Sequence, residues 1–155
     1  MSDLNSNQTP ILFTIGYEGL SLDDYLQKLI SHNVRALIDV RNNPTSRKRG
    51  FSKTTLKNAT EHAGIKYHHI PELGIPSKLR SNLKDTADHQ RLLQYYQTQI
   101  LPQQSEALER LKKLHAQYAR IALTCLEADY HSCHRHKIAE YLYDNANFDA
   151  PIVHL

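Results

Sequence analysis

Apolar positions along the chain alternate between two patterns: short continuous runs and rows at helical spacing. Residues 11–15 (ILFTI) form an apolar run that predicts a buried strand, and Gly16, Tyr17, Glu18 and Gly19 follow it. Ser21 then has the character of an N-cap, with Asp23 and Asp24 in the first helical turn. Leu22, Tyr25, Leu26, Leu29 and Ile30 share one helical face, and Asn33 is a natural stop. Residues 36–40 (ALIDV) predict a second strand. Residues 41–50 contain Pro44 and no other apolar side chain, so they predict a loop. Ser52 is placed to cap a second helix, Phe51 to staple onto Leu56, and Gly64 to end it.

Residues 66–70 (KYHHI) predict a third strand, the weakest of the set and suited to an edge. The segment 71–87 holds two prolines and a glycine without a period, and reads as a long loop, either a lid or a disordered stretch. A helix over 88–100 is predicted from Leu92, Tyr95, Tyr96 and Ile100. Pro102 suits the start of another helix that carries Leu108, Leu111, Leu114 and Tyr118. A fourth strand, a polar loop over 128–132 and a helix bearing Ile138, Ala139 and Leu142 complete the pattern, with a last strand at 151–155. Strands alternating with helices predict an α/β fold: a single three-layer α/β/α domain with a mainly parallel sheet of about five strands. We expect the domain to span 11–155 behind a polar, disordered tail at 1–10. The expected sheet order is 3-2-1-4-5, which would bring the ends of strands 1, 2 and 4 to one crevice.

With 155 residues the chain fits one domain, and its apolar fraction of 40% is ordinary for a soluble globular protein. No apolar run is long enough to span a membrane, and the N-terminus lacks the pattern of a signal peptide, so a cytoplasmic location is expected. Two cysteines do not make a disulfide framework, and in a reducing compartment they are expected as free thiols. The net charge of +3 is mild. Its distribution matters more: Arg35, Arg41, Arg47, Lys48 and Arg49 cluster around the loop after the second strand. Such a cluster is either a site for phosphate or another anion, or a solvated basic loop.

Residues 120–139 concentrate the candidate chemistry, because both cysteines, Glu127, three histidines and Arg135 surround one strand-to-helix turn. Four stretches, TIGYEG from Thr14, DVRNNPTSRKRGFSK from Asp39, YHHIPELG from Tyr67 and CLEADYHSCHR from Cys125, together resemble the DUF488 family. The resemblance implies a compact Rossmann-like α/β domain and the location of a site, and leaves the reaction open. The positions it matches include Gly16, Tyr17, Glu18, Gly19, Asp39, Arg41, Pro44, Ser46, Arg47, Phe51, Lys53, Cys125, Glu127, Cys133, His134 and Arg135.

Four chemistries compete for these residues. A dinucleotide site is suggested by Asp39 twenty residues after Gly19, but GYEG is not GxGxxG and Glu18 would repel a pyrophosphate. Cys133, at a helix start beside Arg135, is placed for thiolate character, yet the chain lacks the CxxxxxR loop of cysteine phosphatases. Packing is the alternative for Cys133, and Cys125 reads as a buried strand residue. His131, Cys133, His134 and His136 are dense, but no CxxC or HxxxH spacing appears, and adjacent residues rarely ligate one ion, so no metal and no cofactor are expected. Anion recognition fits best. Arg41, Arg47 and Arg135 can fork onto phosphate, Ser46 and Lys53 add donors, and His134 stands beside the free N–H groups of a helix start. Tyr17 could stack on a ring. Asp39 and Arg41 read equally well as a structural ion pair.

Two functional expectations follow. In the first, the protein is an enzyme for a phosphorylated or nucleotide-like substrate, with Glu127 moving a proton, Asp39 its partner acid and Cys133 a secondary candidate. In the second, it is a non-catalytic nucleic-acid-binding module. Its partner is then a phosphorylated small molecule or a nucleic acid, and not a membrane.

Overall fold

The structure is a computed structural model that describes residues 9–81, 83–145 and 148–155. Most of the tail expected at 1–10, residues 1–8, lies outside the described residues. Five strands, β1 (Ile11–Gly16), β2 (Ala36–Asp39), β3 (Lys66–His69), β4 (Arg120–Cys125) and β5 (Ile152–His154), form one sheet in which every pairing is parallel. Helices α1 (Leu22–Ser31), α2 (Lys53–His62), α3 (Thr86–Tyr95), α4 (Ser105–Tyr118) and α5 (His134–Asn145) connect them.

Side-chain alternation along the strands divides the core in two. Phe13, Ile15 and Leu37 point to one face, where they meet Tyr25 and Leu29 of α1 and Leu56 of α2. Leu12, Ala36 and Ile38 point to the other face, against Leu92 and Leu93 of α3, Leu108 and Leu111 of α4 and Ile138 and Leu142 of α5. The three-layer sandwich follows directly from this alternation.

The strand order is β3-β2-β4-β1-β5, which corrects the expected 3-2-1-4-5. β4 is inserted between β2 and β1. Its six residues are all buried, as a strand with neighbours on both edges and helices on both faces requires. Periodicity reveals that β4 is buried and carries no information on which strands flank it. The weak strand β3 does lie at an edge. β1 and β2 feed helices on one face and β4 feeds α5 on the other, so the carboxyl end of β4 is flanked on both sides by chain reversals of opposite sense.

Local expectations were met unevenly. Ser21 caps α1 by accepting from Asp24 N–H, whereas Ser52 makes no cap and instead exchanges two hydrogen bonds with the backbone of Ser46. Asp85 caps α3, and the expected helix over 88–100 is continuous, its last turn widening into a π-helix at Tyr96–Ile100. The segment 71–87 is not featureless: it carries 3-10 turns at Pro71–Leu73 and Ser77–Leu79, and Leu73, Gly74 and Ile75 are buried. A Cβ on Gly74 would stand 2.1 Å from the Asn42 backbone nitrogen, so this segment packs directly on the loop after β2.

Candidate functional site at the carboxyl edge of the sheet

The expected meeting of strands 1, 2 and 4 occurs. Tyr17 and Glu18 donate their N–H groups to the carbonyls of Cys125 and Leu126, continuing the β1–β4 pairing beyond the strands. A Cβ on Gly16 would stand 1.7 Å from the Glu127 carbonyl oxygen, so glycine is required for this approach. Glu18 accepts from Ala128 N–H at 3.1 Å, fixing the loop after β4 against the loop after β1.

Two separate networks occupy this edge. On the α1/α2 face, Asp39 and Arg41 form a fully internal pair. Arg41 Nε donates to Asp39 Oδ1 and its Nη2 to Oδ2, while Nη1 donates to the Phe51 carbonyl and to the Tyr17 hydroxyl. Tyr67 also donates its hydroxyl to Asp39 Oδ2. Burial would lower the Arg41 pKa, but the bonds and charge of Asp39 outweigh it and hold the guanidinium above its ordinary value. Burial, then the negative charge of Asp39, pushes the Tyr67 hydroxyl pKa up. Tyr17 is buried and stacked on Phe51 at 4.6 Å. Its ring therefore lies inside the core, with that face committed to Phe51.

On the α5 face the turn at Tyr130–Ser132 folds the chain back over β4 and seats Cys133 beside Cys125. The two sulfurs are in direct contact, as a disulfide pair, with Cα atoms 7.3 Å apart. This corrects the expectation of two separate free thiols; the cysteines stand eight positions apart in sequence, and the tight turn closes that distance. His134 Nδ1 lies 3.9 Å from Cys133 Sγ, and its Nε2 lies 2.7 Å from the Val40 carbonyl. A carbonyl can only accept, so Nε2 carries the proton and Nδ1 keeps its lone pair. Burial lowers the His134 pKa to about 4, so the ring is neutral at pH 7.

Arg135 is fully buried. Its Nη1 donates to the Glu127 carbonyl at 2.6 Å and points at Cys125 Sγ at 3.4 Å, and Nη2 reaches the Ala128 carbonyl at 3.4 Å. Its Nε has no hydrogen-bond partner among the described residues. Burial pushes the Arg135 pKa down, opposed by Glu127. Glu127 is half-buried, with Oε2 3.9 Å from Cys125 Sγ.

The remaining anion-site residues lie on the loop after β2 and at the start of α2. Ser46 is tied to Ser52 and accepts from Lys48 N–H. Arg47 and Lys53 are exposed, and neither has a carboxylate within 4.0 Å among the described residues. The structure thus joins Tyr17, Asp39 and Arg41 in one network and Glu127, Cys133, His134 and Arg135 in another, seats Gly16 against the Glu127 carbonyl, and leaves Arg47 and Lys53 facing solvent.

Several contributors escaped the sequence reading. Tyr67 was visible within a motif without a role. Tyr25, which donates to Thr124 Oγ1, read as plain core. A tyrosine at an apolar position needs a polar partner, and that was the available signal. His69, 2.7 Å from the Arg41 carbonyl, and His89, 2.6 Å from the Ser132 carbonyl, gave none, since both contacts are set by tertiary packing.

Residues 21–142 match the family described as domain of unknown function DUF488. The chain belongs to the DUF488 family. No curated protein and no solved structure matches it. The family match covers β2, β4 and α5 up to Leu142, so every candidate site residue except Gly16 and Tyr17 lies within it. No helix of the described residues is long and apolar enough to cross a membrane.

Proposed function

We propose that this DUF488 domain is an enzyme that binds a phosphorylated or nucleotide-like substrate at the carboxyl edge of its sheet. The observation that supports this most is the contrast among its arginines. Arg41 and Arg135 direct their hydrogen bonds to internal acceptors, whereas Arg47, Arg49 and Lys53 are exposed without a carboxylate partner among the described residues. In this reading the buried Asp39–Arg41 pair holds the start of the loop rigid, and the loop offers Arg47 and Lys53 to phosphate oxygens, with Ser46 as a further donor. Asp39 and Arg41 are then positioning residues.

Glu127 would carry the proton-transfer step. It is half-buried, and the backbone beside it is fixed by Gly16 and Arg135. Cys133 and His134 would line the same region.

A second reading, a nucleic-acid-binding module without catalysis, is favoured by one further observation. Lys53 and Lys57, four residues apart on α2 and both exposed, extend the basic loop along a helix face. The two readings differ at Glu127. Glu127→Gln should abolish turnover and leave binding of a phosphorylated ligand intact in an enzyme; unchanged turnover would remove Glu127 from the chemistry. Arg47→Ala should weaken binding under either reading, and unaltered binding would remove the loop from the site.

A further inference from the structure

We propose that Cys125, Cys133 and His134, once the Cys125–Cys133 disulfide is reduced, form a binding site for a divalent, thiolate-preferring metal ion, zinc first among them. Their Sγ, Sγ and Nδ1 atoms all lie within 4.8 Å of one another, and all three residues are buried. Zinc–sulfur and zinc–nitrogen bonds of about 2.3 and about 2.0 Å would put sulfur and nitrogen ligands about 3.5 Å apart around a tetrahedral ion. The 3.9 Å between Cys133 Sγ and His134 Nδ1 is already near that edge. The ion would sit between the two sulfurs and part them. A Cα separation of 7.3 Å leaves room for this in the reduced pair.

The surroundings of the sulfurs also suit metal-bound thiolates once the pair is reduced. The bond from His134 Nε2 to the Val40 carbonyl fixes the tautomer in which Nδ1 offers its lone pair toward Cys133, an arrangement that orients metal-bound imidazoles elsewhere. The buried Arg135 guanidinium directs Nη1 at Cys125 Sγ and has no carboxylate within 4.0 Å among the described residues. In the reduced state a Cys125 thiolate accepts such a bond and balances the guanidinium charge. The adjacency of Cys133 and His134, unfavourable on sequence spacing, is accommodated because the chain enters α5 between them.

Among the described residues no fourth histidine, cysteine or carboxylate joins the group. Three protein ligands with one open position are the pattern of catalytic zinc, whereas structural zinc is usually closed by four. Glu127 lies outside the group, with Oε2 3.9 Å from Cys125 Sγ. A dithiol reductant first reduces the Cys125–Cys133 disulfide, its two electrons and two protons giving two thiols while it becomes a disulfide itself; binding then releases the two thiol protons to solvent. The inference rests on the donor set and is independent of the phosphate reading.

The test uses the full chain purified under reductant without chelator. Elemental analysis should give about one zinc per chain. The reduced, metal-stripped protein titrated with Co²⁺ should develop thiolate-to-cobalt charge-transfer absorption that zinc abolishes. Cys133→Ser should lose stoichiometric zinc. Glu127→Gln should retain it, and loss of metal from that variant would overturn the open position. The cobalt titration of the unmodified chain does not depend on a variant folding. A reduced, folded chain that binds neither cobalt nor zinc overturns the site. So does protein purified without oxidant that holds no metal and shows no titratable thiol after unfolding.

Discussion

Arg41 grips Asp39 through two parallel bonds, Nε to Oδ1 at 2.8 Å and Nη2 to Oδ2 at 2.7 Å, with Asp39 completely excluded from solvent. A carboxylate so enclosed is tolerable only because its oxygens are met by Arg41, by the Tyr67 hydroxyl and by the Arg41 N–H. Removing one partner strands the other charge. Asp39→Ala should therefore cost about 3–5 kcal/mol. Denaturant unfolding monitored by circular dichroism measures it, and a loss under about 1 kcal/mol would show that the pair does not hold the loop.

Gly16 and Gly74 mark the two closest backbone approaches at this edge. A methyl on Gly16 would collide with the Glu127 carbonyl oxygen, and one on Gly74 with the Asn42 backbone. Neither obstacle is a flexible side chain, so the backbone must move. Gly16→Ala and Gly74→Ala should each lower stability by about 1–3 kcal/mol. Unchanged thermal melting of both variants would mean that these contacts are looser than described.

The strands, the three-layer architecture and most of the helical faces were legible because burial imposes its period directly on the sequence; Ile30 and Tyr95, apolar positions at helical spacing, are nonetheless exposed. Leu29, Leu56 and Ile138 are core for the reason their spacing implies. The order of the strands was not legible, since β4 is apolar whichever neighbours it has. The site was legible in its location and not in its wiring. The cluster of Cys125, Glu127, Cys133 and Arg135 stood out in sequence, but nothing there distinguishes an arginine that faces a ligand from one that braces a loop. Arg41 and Arg47 look alike until the tertiary fold buries one and exposes the other.

His154 connects the fold to pH. Its Nδ1 lies 2.6 Å from Thr14 Oγ1 and its ring stacks on Tyr130 at 3.6 Å. Burial, then the neighbouring His136, Arg135 and His131, lowers its pKa to about 4, below the ordinary value of about 6.5. Above pH 6.5 the ring is neutral in both folded and unfolded chains and contributes no pH dependence. As pH falls from 6.5 toward 4 the unfolded chain takes up the proton and the folded chain does not, so stability drops. His154→Asn should flatten the fall in melting temperature between pH 7 and pH 5. An identical slope in both proteins would show that His154 does not titrate in this way.

Arg47 separates ligand contact from structural support. It is exposed and forms no ion pair among the described residues, so Arg47→Ala should alter unfolding by no more than about 0.5 kcal/mol. If it contacts a phosphate, the same change should reduce the salt dependence of polyanion binding by about one unit of slope. A large loss of stability would instead make Arg47 part of the scaffold.

The proposal that phosphate-bearing ligands are held by the loop after β2 meets its most direct test in fluorescence anisotropy. A labelled mixed-sequence oligonucleotide would be titrated with the unmodified chain and with Arg47→Ala/Lys53→Ala, at about 50 and about 200 mM salt. The account predicts binding by the unmodified chain that weakens at the higher salt and is largely lost in the double variant, whose fold and melting are unchanged. No binding by the unmodified chain, or equal binding by both proteins, would contradict it.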